Sequence, residues 1–213
     1  VNCFRLHNRQ LLAAHRSARE AVEGRRRGGP GDICGHLLCL ADVHLRARDP
    51  IGALGFSLRC LSAAEGSRLL HHRAEALVRI ARVRLDMGDL YGALCLAEEV
   101  TPQLVARGSA ELRGEALVVQ ANVLLSLLAR MARGDAAGAA PDARTREQLL
   151  REAARVLDEA AGHFAAAADL GAQRRCHYVA ARVCHELRDF GARDRHAGRF
   201  RRACDALRGG GHL

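Results

Sequence analysis

Apolar residues recur along this chain with the three-to-four-residue spacing of a helix face, in runs separated by short polar turns. Leu77, Val78, Ala81 and Leu85 share one face, as do Leu117, Val118, Ala121, Leu124, Leu125 and Leu128. Leu149, Leu150, Ala153, Val156, Leu157, Ala160 and Phe164 form the clearest stripe. No run alternates with period two for long enough to make a strand, so the pattern predicts an all-α chain. It predicts helices at about 4–23, 33–46, 50–64, 68–87, 90–107, 110–131, 145–168, 173–187 and 190–207.

The breaks follow turn chemistry. Residues 24–32 (GRRRGGPGD) read as a loop. Asp49-Pro50 offers an N-cap and a proline at the first helical position. Gly88 ends one helix and Asp89 caps the next. Pro102 is expected to kink or end its helix, and Gly171 to break the one that Thr145 caps. Residues 134–144 (GDAAGAAPDAR) lack apolar anchors and predict a mobile insertion, open to trypsin at Arg133 and Arg144. The Gly-rich residues 208–213 predict a frayed tail.

A longer period overlies the helical one. Ala41 and Leu45 fall on Ala81 and Leu85, and the segment from Arg48 to Leu54 falls on Gly88 to Leu94, each 40 residues apart. Ala121 continues the series, and Ala181 resumes it after a 60-residue interval that holds the insertion. Fixed-period helix–turn–helix units cannot bury their apolar faces alone, so they stack. Small residues at the crossings let paired helices approach; the candidates are Ala41, Ala53, Ala81, Ala93, Ala121 and Ala181. The expected fold is a tetratricopeptide-like α-solenoid of antiparallel helix pairs, one superhelix over residues 1–213, with units longer than the usual ~34 residues. HEAT repeats have similar periods, but the Asp-led turn followed by Ala-Leu favours the tetratricopeptide form.

Composition changes this picture little. The formal charge is +9, and all 33 basic residues are arginine, with no lysine. Asn and Ile occur three times each and Trp is absent, the usage of a GC-rich genome. The arginines are scattered over many helices and aromatics are few, so a solvated Arg-rich face is expected rather than a nucleic-acid groove. No stretch approaches the ~18 consecutive apolar residues of a membrane span, and Val1 at the first position reads as a piece of a longer protein.

Candidate chemistry is sparse. The eight cysteines form no CxxC pair, and neither Cys34/His36/Cys39 nor Cys176/His177/Cys184/His185 has the spacing of a structural zinc site. Neighbouring Cys and His on one helix point about 100° apart, too far for a nucleophile–base contact. Arg27-Gly28-Gly29-Pro30-Gly31 lacks the lysine of a phosphate loop. No enzyme, cofactor, metal or small-molecule substrate is expected.

Four ordered segments carry a resemblance. They are Leu40–Leu45 with Asp49-Pro50, Ser57–Ser62, Leu85–Asp89 with Ala93-Leu94 and Thr101-Pro102, and the stretch from Arg107 to Ala116. The last, RGSAELRGEA, is similar to a family segment HGGLELRARA through Gly108, Glu111, Leu112, Arg113 and Ala116, and departs from it at Arg107 and Ser109. The chain resembles, over essentially its whole length, the C-terminal tetratricopeptide region of the subunit 5 family of the anaphase-promoting complex. The resemblance implies a non-catalytic platform subunit of this ubiquitin ligase of mitosis, in contact with its subunits 1, 4 and 15, in nucleus and cytoplasm. It implies no nucleic-acid or membrane partner. The alternative is a tetratricopeptide adaptor or co-chaperone that clamps an acidic peptide in an Arg-rich groove.

Overall fold

The computed structural model describes residues 29–133 and 145–209. Among them lie eight helices and no strand: α1 (Pro30–Arg46), α2 (Pro50–Gly66), α3 (Leu70–Asp86), α4 (Leu90–Arg107), α5 (Ala110–Ala132), α6 (Arg146–Ala166), α7 (Leu170–Glu186) and α8 (Phe190–Gly209). The helix expected at 4–23, the insertion at 134–144 and residues 210–213 of the tail lie outside the described residues. The fold is all-α, a tetratricopeptide-like α-solenoid arrangement of antiparallel helix pairs in which neighbours in sequence pack on one another from α1 to α3 and from α4 to α8.

The chain divides after Asp89 into two compact units, each described here by itself. In the first, α2 packs against α1 and α3, and α1 also touches α3. Its core joins Cys34, Leu37, Leu38 and Leu40 of α1 with Cys60 and Ala64 of α2 and Ala76 of α3. Arg79 of α3 adds a two-pronged ion pair to Asp42 of α1, at 2.8 and 3.2 Å. In the second unit, α4 to α8 pack in series. The stripe of α6 is its centre, with Leu117, Ala121 and Leu124 of α5 on one side and Cys176, Ala180 and Val183 of α7 on the other. Each large apolar side chain sealed there contributes roughly 1.5–3 kcal/mol.

Helices begin at Pro50, Leu70, Leu90 and Ala110, and again at Leu170 and Phe190. Each 40-residue unit is therefore the expected helix pair, with its two helices starting an equal 20 residues apart. One turn makes this spacing. After α1, the Arg48 N–H reaches the Leu45 carbonyl and the Asp49 N–H reaches that of His44, the double closure of a Schellman motif. The same pair of bonds closes α2, α3, α6 and α7. The left-handed residue is Gly88 after α3, but Arg48, Arg68, Ala168 and Arg188 elsewhere, with φ between 55° and 61°. The next residue is the N-cap of the following helix. Asp49, Asp169 and Asp189 accept the N–H groups of Gly52, Ala172 and Ala192 at 2.8–2.9 Å.

Two expected boundaries move, and that of the helix expected at 90–107 does not. The helix read as starting at 33 starts at Pro30, because Pro30 suits the first turn and the Asp32 carboxylate accepts the Gly29 N–H at 2.9 Å. Gly171 does not break a helix. It lies in the first turn of α7, and the break falls at Ala168 and Asp169. Helix α4 runs through Pro102 to Arg107. Thr145 and Gln148 cap α6 reciprocally, side chain to backbone, at 3.2 and 2.7 Å.

Candidate functional site

Five of the small residues singled out for helix crossings, Ala41, Ala53, Ala81, Ala93 and Ala121, are fully enclosed at 0% exposure. Ala181 is only half-buried, and its neighbour Ala180 is the enclosed residue of α7. Ala180 faces the core shared with α6, although α7 starts on the 20-residue spacing and Ala181 holds the same helix position as Ala41, Ala81 and Ala121.

The segment from Gly108 to Ala116 builds the α4–α5 junction. The Leu104 carbonyl at the end of α4 accepts both the Gly108 N–H, at 2.7 Å, and the Arg113 Nε–H, at 2.8 Å. Ser109 caps α5 by accepting the Leu112 N–H at 3.2 Å. Leu112 and Ala116 point into the core, and Glu111 is exposed. Two glycines of the segment leave no space for a Cβ: Gly108, against Leu104 at 2.8 Å, and Gly114. A Cβ on Gly114 would lie 2.8–2.9 Å from the ring of Phe164, so α5 meets α6 there with no room for a side chain.

Cys34, Cys60, Cys176 and Cys184 are buried packing residues, whereas Cys39 and Cys95 are exposed. Cys34 and Cys60 face each other across α1 and α2, each thiol directed at the other residue's carbonyl, at 3.9 and 3.6 Å. Burial pushes the Cys60 thiol up to about 12 and the Cys176 thiol up to about 11, and raises Cys184 as well. A thiol so far from ionisation is neither a ready nucleophile nor a ready metal ligand.

Histidines come together where no sequence spacing predicts it. His177 of α7 and His196 of α8 are both buried, with their Nδ1 atoms 3.2 Å apart. Asp158 of α6 stands beside them, its carboxylate held by Arg199 at 2.9 Å. Burial, reinforced by His196 and Arg199, pushes the His177 imidazole down to about 4. His196 is lowered too, mainly by burial. Of the Cys176/His177/Cys184/His185 set, the structure brings only His177 into such a cluster. Its partners sit 19 residues away on both sides, on other helices.

The surface offers two further features. Many arginines are engaged with carboxylates of this same chain: Arg146 with Glu186, Arg155 with Glu159 and Arg199 with Asp158. Large apolar side chains are exposed at Ile51, Leu58, Leu70 and Met87 in the first unit, and at Tyr91, Met131, Tyr178, Phe190 and Leu207 in the second, near helix ends and along helices alike. By length and composition α5 alone among the described helices is apolar enough to cross a membrane. Here it packs between α4 and α6 and buries Leu112, Leu117, Val119, Val123 and Leu124.

No protein-family model matches the chain, and no curated protein does. Among solved structures it is similar to BtubC (BKLC) from P. vanneervenii, with 16% identity and a TM-score of 0.49 over 93% of this chain and 92% of that one.

Proposed function

We propose that this chain is a non-catalytic scaffold that works through protein–protein contacts along its helix pairs. The observation that carries the reading is repetition. One turn recurs five times and builds a series of like helix pairs with large apolar side chains exposed along it, which suits extended contact with partner chains rather than a single pocket.

The assembly we propose is the anaphase-promoting complex, with this chain as a platform subunit of the ligase in nucleus and cytoplasm. The support is the ordered set of segments from Leu40 to Ala116 that resembles the subunit 5 family. On this reading its partners are the other subunits, including 1, 4 and 15, and the chain takes no cofactor, nucleic acid or membrane. The adaptor alternative needs a groove of available arginines. The ion pairs that engage Arg79, Arg146 and Arg199 within the chain weigh against it.

The test is a tagged pull-down with mass spectrometry, run on the full chain and two variants. Removing residues 170–213 strips α7 and α8 from the stripe of α6, and we expect it to lose ligase subunits. The double change Cys176→Ser and Cys184→Ser, at thiols with no chemical role in this reading, is expected to keep them. Chaperones in place of ligase subunits on the full chain would favour the adaptor. Partners lost by the double variant and kept by the truncated chain would overturn the scaffold reading.

A further inference from the structure

Side chains from three helices converge at one point of the second unit. Asp158 of α6, His177 of α7 and His196 of α8 each bring one ligand atom within 4.8 Å of the other two. The imidazole Nδ1 atoms are 3.2 Å apart, and His196 Nδ1 is 3.9 Å from Asp158 Oδ1. Both rings are buried, and the carboxylate opens to solvent. We propose that these three side chains form a site for a divalent transition metal, zinc by preference, that clips α6, α7 and α8 together.

The geometry and the donors both point this way. Two imidazole nitrogens bound tetrahedrally to one zinc at ~2.0–2.1 Å stand about 3.3 Å apart, and this pair already has that separation. The carboxylate must close by a few tenths of an ångström or more, which an exposed side chain can do. Two imidazoles and one carboxylate suit zinc and its neighbours, whereas magnesium and calcium require oxygen donors throughout. The fourth position, on the open Asp158 side, takes water. In the metal-free chain the close Nδ1 pair shares one hydrogen, so one ring donates and the other accepts. Ligation by both Nδ1 atoms moves that hydrogen to Nε2 of the same ring. Both imidazoles stay neutral and nothing is oxidised or reduced.

The charged surroundings set the strength. Arg199 donates to the Asp158 carboxylate and orients it, as an outer partner of a metal ligand does. Arg195 and Arg202 add positive charge nearby. The site is therefore weaker than a four-ligand structural zinc site, and its occupancy follows the metal supply.

The experiment uses the chelator-treated full chain. Cobalt(II) titration is expected to give one equivalent of visible d–d absorption that zinc abolishes. Zinc at about a hundredfold excess over its Kd is expected to raise Tm on the order of 5 °C. His196→Gln removes both signals. Asp158→Asn alters an exposed group, retains the helical circular dichroism spectrum and weakens binding at least tenfold. Absence of one-equivalent binding by the folded wild type overturns the proposal. So does unchanged binding in both variants, or a thiolate charge-transfer band, which would put the metal on cysteines.

Discussion

Gly114 of α5 lies directly beneath the Phe164 ring of α6, so close that a Cβ would stand 2.8 Å from the ring Cζ. Two effects oppose each other on replacing it. Alanine improves helix propensity by up to about 1 kcal/mol, and the clash costs roughly 1–3 kcal/mol because the ring is enclosed on its other sides. Gly114→Ala is expected to destabilise the chain by about 1 kcal/mol in urea titration. In a Phe164→Leu background the same change should become neutral or stabilising. Equal effects in both backgrounds would show that the ring is not what excludes the side chain.

The turns carry correctable strain. Ala168 holds a left-handed φ of 58° with a Cβ in place, a conformation that costs a non-glycine residue roughly 1–2 kcal/mol. Ala168→Gly is expected to raise stability by about 0.5–1 kcal/mol, after the added freedom of the unfolded chain is subtracted. Gly88→Ala, at the equivalent turn, should lower it by a similar amount. A melting temperature that moves the other way in either variant would contradict the turn geometry.

The buried histidine pair makes the metal-free chain sensitive to acid. His177 is held near 4 in the fold, against about 6.5 for an unfolded histidine. The unfolded chain therefore binds the proton first as pH falls. The stability that neutral His177 provides is complete above about pH 6.5 and declines progressively toward pH 4. The full difference is about 3 kcal/mol, and His196, lowered in the same sense, adds to it. Urea midpoints are expected to fall across that window in wild type and to fall less steeply in His177→Asn. A variant with the wild-type slope would trace the acid sensitivity to other groups.

Enclosure of Ala81 is tested by size and charge. Ala81→Arg places a guanidinium where exposure is 0%, and the expected loss is several kcal/mol. Ser62→Arg, on the exposed side of α2, is expected to shift stability by less than about 0.5 kcal/mol. Circular dichroism melts of the two proteins give the comparison.

Helix class and order were legible because apolar periodicity acts over a few residues: α3, α5 and α6 announce themselves by their stripes, and α2 and α6 by an Asp or Thr cap. The turns were less legible. Gly88 marks its left-handed position, but Arg48, Arg68, Ala168 and Arg188 do not. Gly171, a glycine with the look of a breaker, lies inside a helix. At the repeat position of Ala181 the enclosed residue is its neighbour Ala180, because burial there is set by the packing of α6, which the repeat does not encode. Gly114 and the Asp158–His177–His196 cluster could not be read at all. Each depends on which helices touch, and residues 19 to 50 apart have no common period that signals it.

Asp49, Asp169 and Asp189 each finish one helix with a backbone N–H and start the next with a carboxylate. One residue thus belongs to two elements, and no slack separates them. A deletion or insertion of a single residue within α7 would turn everything beyond it by about 100° about the helix axis, with no loop to absorb the error. Length variation among chains of this design must then arrive as whole helices or be confined to the α5–α6 connection. Among the described helices, α6 is the one whose start departs from the 20-residue spacing.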